Sequence, residues 1–551
     1  MALIVILATI QVTTILEESQ TWDEGIHLVA GYSYLATGKY QLNSEHPALG
    51  KMLCALPLYL FLHPNLDTNS EAYRNESLTA IGMEFVYRNE VSPDLLLFAG
   101  RLVTIALTIA FAFWLAFWTR RRFGSGVALV ALLLFAFDPN IIAHGRYITT
   151  DLIASLFIFL TCTLWIEYLI RPRWYTLIAS GFAMGLAFSS KYSALFLAPA
   201  LVAIFWLRYA WEWRQVRLQR YVLRFAVCAL VLAFCAVSVI VAVYWPEVVH
   251  GKDLGPLAPA INRLGVLGPA LGFLADRLHM PAFHFLIGLD RLSEHDFGGH
   301  MSYLLGQISE HGWWYYFPVA FAVKTPVGLL LGVVLGAIGL MIGRLKAGAE
   351  AFAAAALTLP AVIFAFFCLR SHIDIGLRHL LPLYAFLHVL IAYALLGAGA
   401  ALRRWQTVGV AVVASLVVLE SLAIYPNYLA FFNFVSGGPN AGGRYLLDSN
   451  LDWGQDAKRL GRYMAAHQIP YVCLGFFGNV DVVRYGVNYR SIPEPKDLDG
   501  GKAMDCNVAA ISATPLYGLY VGPERYRFFR GMKPFDKIGY SIYLFDVKKK
   551  P

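Results

Sequence analysis

The sequence predicts an all-α polytopic membrane protein of about eleven transmembrane helices, with a small C-terminal extracytoplasmic α/β domain. Three observations carry this. The 551 residues are 58% hydrophobic and only 15% charged, where soluble chains carry about 25% charged residues. Apolar runs of about 20 residues, each able to cross a hydrocarbon core of about 30 Å, recur along the first four-fifths of the chain. Short arginine clusters separate these runs in the one-sided pattern of cytoplasmic loops.

In order, the spans fall at roughly 2–17, 96–119, 124–143, 151–170, 176–190, 192–208, 221–245, 315–343, 351–369, 379–400 and 405–425. With the N-terminus in the cytoplasm, every basic cluster lies on the cytoplasmic side: Arg120 to Arg122, Arg171 with Arg173, Arg208 to Arg224, Arg344 with Lys346, and Arg403 with Arg404. The formal charge of +8 therefore reflects topology and does not point to nucleic acid. The first run lacks a basic n-region and a small-residue cleavage site, so it reads as a retained helix. The expected location is the inner (plasma) membrane, multi-pass.

Two long external segments follow from this topology, residues 18–95 and 246–314, and they belong with a membrane domain over 1–435. The first holds helices near 24–36 and 46–62. From 436 to 551 the composition changes. An amphipathic helix over Gln455 to His467 and strand-like runs at Tyr471–Phe477, Val508–Ser512 and Ile538–Val547 predict the α/β domain. Four of the seven cysteines (Cys162, Cys228, Cys235 and Cys368) lie in apolar runs as small core residues. Cys473 and Cys506 share the C-terminal segment, and the sequence leaves open whether they pair.

The chemistry-bearing residues gather at the external ends of the spans. E-E-S-Q-T-W-D-E puts four carboxylates in the eight residues from Glu17 to Glu24. Glu17 and Glu18 mark the membrane exit. Thr21 to Glu24 fits the S/T-x-x-E capping box, so Glu24 stands between a structural and a catalytic reading, while no capping rule requires Asp23. S-E-H-P-A-L-G-K opens a second helix with Glu45, His46 and Lys51 at its positive end, an arrangement that suits an anion. Arg101, Arg146, Asp151, Lys191, Lys324, Asp374 and Arg378 sit at or inside span edges. Ionisable groups there are costly and usually functional, with snorkelling to headgroups as the alternative. A carboxylate can act as base towards a hydroxyl, and Arg and Lys can stabilise a leaving phosphate. The histidines show no local metal-ligand spacing; a divalent ion bridging Asp23 or Glu45 to a phosphate is compatible with the residues and not assigned by them. In D-S-N-L-D-W-G-Q-D, the residues Asp448, Asn450, Asp452 and Asp456 read as turn and cap positions, with an acceptor contact as the alternative.

W-D-E, H-P-A-L-G-K and the arginine of G-R-L-V together resemble the protein O-mannosyltransferases, within the GT-C glycosyltransferases that use polyprenyl-phosphate sugars. F-D-P-N-I-I-A-H-G-R-Y-I-T-T-D, S-S-K-Y-S-A, G-W-W-Y-Y-F-P-V-A-F-A-V-K-T-P, I-G-L-R-H-L-L-P and D-S-N-L-D-W-G-Q-D are similar to the bacterial family 39-type members, in the same order. The resemblance implies a GT-C fold, with Asp23, Glu24 and Asp151 as the catalytic acidic positions and Arg101 near the donor phosphate. It implies a metal near Glu45 and His46 through the aminoarabinose-transferase branch. Placement adds Lys51, Arg146, Lys191, Lys324 and Arg378 as further phosphate contacts. The expected activity is inverting transfer of one sugar from a polyprenyl-phosphate donor to an acceptor hydroxyl on a glycan, lipid or protein, outside the membrane. The 246–314 loop is too short for the β-trefoil of the eukaryotic enzymes, which puts mannose and a protein acceptor in question. A transporter or flippase for a lipid-linked sugar or other anionic substrate is the rival reading; against it, the charges gather at one face and inverted repeats are not apparent.

Overall fold

The computed structural model describes residues 1–212, 217–249, 282–342, 348–397, 403–499 and 503–547. The Arg344/Lys346 cluster and residues 250–281 of the second long loop lie outside these. Helices dominate up to Ile424, and a five-stranded sheet follows.

Among the described residues, seven helices are long and apolar enough to cross a membrane, or eight if a bent pair is one span. The expected eleven is therefore not met by length. Ala2–Ile15, Ser125–Phe137 and Trp174–Ser190 have 14, 13 and 17 residues, where a full crossing takes about 20. The second of these is short because Asp138 and Pro139 interrupt it: Asp138 caps a new helix, Pro139–His144, by accepting from the Asn140 N–H at 2.9 Å. The span expected at 315–343 is likewise broken at Thr325–Pro326. Tyr316–Lys324 and Val327–Ile338 meet at 107°, since Pro326 cannot continue the helix before it.

The longest helix, Pro93–Phe123, shows how sequence sets these elements. The Ser92 side chain accepts from the Leu95 N–H, Pro93 takes the first helical position, and Arg120 to Arg122 fill the last turn before Gly124 at φ 89°. Within the first external segment, Glu24–Thr37 and Ala48–Pro57 form the two expected helices. Gly31 lets them touch: a Cβ there would lie 2.1 Å from the Lys51 carbonyl oxygen. Part of the second segment is a hairpin, β1 (Ser302–Leu304) with β2 (Gln307–Ser309).

The C-terminal sheet contains β3 (Val472–Gly475), β4 (Tyr489–Ser491), β5 (Val508–Ser512), β6 (Asp536–Ile538) and β7 (Ile542–Asp546), in the order β4-β3-β5-β7-β6. β3 pairs in parallel with both β4 and β5; β7 pairs antiparallel with β5 and β6. The three strand-like runs of the sequence are β3, β5 and β7, and the amphipathic helix is Ala457–Ala466. Cys473 and Cys506 form a disulfide, which settles the pairing left open by sequence.

Candidate active site

The four N-terminal carboxylates take four different roles. Glu17 is exposed and pairs with Arg462. Glu18 is buried. It accepts from Arg146 Nη2 at 2.7 Å, from Arg146 Nε at 3.1 Å and from the Tyr147 hydroxyl at 3.0 Å. Burial would raise its carboxyl, but the Arg146 and Arg459 charges outweigh burial and hold it below the usual range. Glu18 is thus an internal anchor, where the sequence suggested only a membrane exit.

Glu24 is fully buried. Its oxygens accept from Arg101 Nη2 at 2.6 Å, Arg101 Nε at 2.7 Å, the Thr21 N–H at 2.8 Å and the Ile148 N–H at 3.1 Å. The reach back to Thr21 is half of the capping box. The other half is missing, because Thr21 Oγ1 has no partner among the described residues. Arg101 spends its remaining donors on the carbonyls of Ile15, Glu18 and Ser19. This corrects two expectations. Glu24 has no free lone pair turned to a substrate, and Arg101 has no donor turned to a phosphate.

Three more expected phosphate contacts are used internally in the same way. Arg146 is consumed by Glu18 and the Ile142 carbonyl. Lys51 Nζ bonds the Tyr34 hydroxyl at 2.8 Å and the Asn43 and His46 carbonyls at 2.6 and 2.7 Å. Lys324 Nζ bonds the carbonyls of Leu429 and Asn450 at 2.8 and 2.5 Å. The Arg146 donors thus meet a carboxylate, and those of Lys51 and Lys324 meet neutral oxygen acceptors inside the protein.

Asp23 differs. Its side chain is 22% exposed, and Oδ2 accepts from Arg378 Nη1 at 2.7 Å. The same Nη1 lies 3.9 Å from Asp151 Oδ2, and Asp151 Oδ1 pairs with Lys191. The series Asp23–Arg378–Asp151–Lys191 is thus continuous. Arg378 and Lys191 each keep about a tenth of their side chain open, whereas Asp151 is buried between them. The Arg378 guanidinium lies over the Trp453 ring, 4.4 Å from its centroid, a cation–π contact that fixes its plane. Of the nine residues expected for catalysis or phosphate contact, these four form one series, in which Asp23, Arg378 and Lys191 are partly exposed and Asp151 is buried.

Glu45 and His46 do not converge. Glu45 Oε2 faces His295 Nδ1 at 3.2 Å, whereas the buried His46 ring lies 5.2 Å from the His27 ring. Among the described residues, no group of three or more His, Cys, Asp or Glu is arranged to hold a metal. The pair therefore does not fit the expected metal, and no step is routed through one.

Residues 448–456 are bound into this site more closely than their turn-like composition suggests. Asn450 Oδ1 accepts from the Leu377 N–H at 2.9 Å, and its amide nitrogen donates to the Tyr316 hydroxyl and the Leu447 carbonyl. The Trp453 carbonyl accepts from the Trp22 N–H at 2.8 Å; the Gln455 and Gly454 carbonyls accept from Ser19 N–H and Oγ, both at 2.9 Å. Gln20 Nε2 reaches the Asn479 carbonyl at 2.7 Å. The backbone just before Asp23 is therefore templated by the C-terminal part of the chain. Burial pushes Asp448 up to about 6, against the Tyr520 hydroxyl and Arg378, and Asp452 up to about 8, against two bonds from Thr514. Sequence reading missed Trp453, although it stands inside the quoted D-S-N-L-D-W-G-Q-D. An aromatic ring flanked by turn residues carries no local signal of a distant guanidinium.

Residues 93–245 match the family model described as dolichyl-phosphate-mannose-protein mannosyltransferase. Over 162 residues the chain is 30% identical to dolichyl-phosphate-mannose–protein mannosyltransferase 1 of Schizosaccharomyces pombe, an alignment that covers 28% of this chain and 17% of that protein. Two solved structures are similar along most of the chain. ArnT from Cupriavidus metallidurans in the apo state has a TM-score of 0.49 at 14% identity, over 98% of this chain and 96% of that one. The archaeal oligosaccharyltransferase AglB from Archaeoglobus fulgidus has a TM-score of 0.46 at 12% identity, over 89% and 60%. The resemblance to the protein mannosyltransferases is thus found over residues 93–245, which include Arg101, Arg146, Asp151 and Lys191.

Proposed function

We propose that this protein is an integral-membrane, inverting glycosyltransferase that moves one sugar from a polyprenyl-phosphate donor to an acceptor hydroxyl on the extracytoplasmic side. One observation carries the reading: Asp23, a partly exposed carboxylate, is held against Arg378 beside the Asp151–Lys191 pair. The family name matched by residues 93–245 supports a lipid-phosphate sugar as donor. The Cys473–Cys506 disulfide supports an oxidising compartment for the C-terminal part.

In the proposed step the acceptor oxygen forms a bond to the anomeric carbon as its proton passes to Asp23. The bond from that carbon to the phosphate oxygen breaks with its electron pair, and the phosphate leaves on the lipid. Arg378 and Lys191 take up the developing negative charge. A single displacement inverts the anomeric centre. Arg378 links both events, since a guanidinium that turns to the phosphate frees Asp23 as a base. Asp151 keeps Lys191 and Arg378 aligned.

The test is purified protein against a panel of lipid-linked sugars, wild type beside Asp23→Asn. Transfer should fall by about 10²–10⁴, the contribution of a general base, with folding and membrane insertion intact. Wild-type transfer by the variant sinks the assignment. Flux of the lipid-linked sugar across proteoliposomes without a glycosyl product supports the transporter reading.

A further inference from the structure

Trp22, the residue before Asp23, stacks on Phe477 with ring centroids 4.9 Å apart and planes 18° apart. Phe477 stacks in turn on Tyr520, at 5.6 Å and 15°. The three rings come from the first external segment, the loop after β3 and the loop after β5, so nothing local in the sequence places them in one series. Tyr520 stays 37% exposed while Phe477 is buried, which leaves an aromatic shelf open at the Tyr520 end. The Tyr520 hydroxyl donates to Asp448 Oδ2 at 2.6 Å and lies 3.1 Å from His300 Nε2.

Two backbone outliers sit at this junction. Tyr520 has φ 66° and Asp448 φ 55°. Asp tolerates the left-handed region, but a bulky aromatic there is a true outlier. Such strain persists where the surroundings enforce it and gathers at ligand sites. Here it aims two side chains at each other across 72 residues of sequence.

We propose that Trp22, Phe477 and Tyr520 form the acceptor subsite, and that it takes a pyranose ring stacked on Tyr520. This rests on the glycosyltransferase reading for the identity of the ring as acceptor. A sugar offers an apolar C–H face to an aromatic plane and hydroxyls around its edge, and the shelf offers a flat ring beside a carboxylate and an imidazole. The donor fits less well, because its phosphate needs the cations at the span edges, whereas Phe477 and Tyr520 come from the sheet-bearing part of the chain. Asp23 acts electrostatically on both Asp448 and His300, the two groups that meet the Tyr520 hydroxyl, which ties the open end of the stack to the base. The C-terminal part then contributes substrate contacts as well as support.

The test is saturation-transfer NMR on the full-length detergent-purified protein. The probes are methyl α-D-mannopyranoside, methyl β-D-glucopyranoside and N-acetylglucosamine, with open-chain sorbitol as a control for hydroxyls without a ring. At least one pyranoside should receive saturation at its C–H face and sorbitol should not. Tyr520→Ala should reduce the signal about tenfold, and Tyr520→Phe, which keeps the ring, should stay within about twofold of wild type. No pyranoside signal in wild type, an equal signal from sorbitol, or an equal loss in Tyr520→Phe and Tyr520→Ala overturns the proposal. The readout needs no turnover, so a protein that binds the ring but transfers nothing keeps the subsite and loses the glycosyltransferase reading. Where transfer is measurable, Tyr520→Ala should raise the acceptor KM and spare the donor KM; the reverse overturns the acceptor assignment.

Discussion

Glu24→Gln separates a structural carboxylate from a catalytic one. In the native protein two carboxylate oxygens receive four N–H donors, from Thr21, Ile148 and both Arg101 positions, at 2.6 to 3.1 Å in a fully buried setting. A glutamine keeps one oxygen and turns an NH2 group against at least one pair of these donors. It also leaves the buried Arg101 charge with only the backbone carbonyls of Ile15, Glu18 and Ser19. Removing one partner of a buried ion pair costs about 3–5 kcal/mol, a large share of a typical 5–15 kcal/mol total. At roughly 1 °C per kcal/mol for a chain this large, the melting temperature in detergent should fall by about 3–5 °C. Adding Arg101→Met removes the stranded charge, so the double variant should lose less than the sum of the single losses, by about 1–3 kcal/mol. A thermal melt followed by intrinsic fluorescence measures both quantities. If Glu24→Gln melts like wild type and loses only transfer, Glu24 is a reacting group and the buried-pair reasoning fails.

Two further outcomes follow from the C-terminal part. Asp452 holds its proton up to about 8 in the folded state, against about 3.9 when unfolded. Between these values the native state binds more protons than the unfolded state, so stability falls as pH rises through the window. Asp452→Asn should therefore flatten the decline in melting temperature between pH 5 and pH 8, and a steeper decline contradicts this. The disulfide joins residues 33 apart, which chain entropy converts to about 4 kcal/mol. Replacing Cys473 and Cys506 by serine should lower sheet stability by that order while insertion continues, and labelling of both thiols without reductant would contradict the pairing.

Hydropathy located most of the spans because a crossing of about 20 apolar residues is a local, one-dimensional property. Among the described residues, helix lengths depart from it where punctuation inside a run decides the outcome. Pro139 and Pro326 were visible in the sequence, yet an apolar run around a proline can be one kinked helix or two separate ones, and only packing chooses. The site was legible as a list of charges and not as a partition. Arg101, Arg146, Lys51 and Lys324 looked as available as Arg378, because the price of a buried charge is the same whether a ligand or the protein neutralises it. What neutralises each is remote: Glu24 lies 77 positions from Arg101, and Glu18 lies 128 from Arg146. Asp23 and Arg378 are 355 apart. The acidic motif singled out Asp23, which no capping rule requires, but not the Arg378 that it meets.

The bonds that tie residues 19–22 to Trp453, Gly454, Gln455 and Asn479 also set an order of assembly. Ser19 leaves the ribosome 435 residues before its partner Gly454. At about 5–20 residues per second this delay is roughly 20–90 s. Throughout that interval the membrane helices are made and inserted while the segment bearing Asp23 lacks the backbone it will pair with. A nascent chain released early can carry its apolar helices and still lack an organised acidic loop. Synthesis past Asn479 is then the step at which the loop bearing Asp23 gains the backbone that organises it.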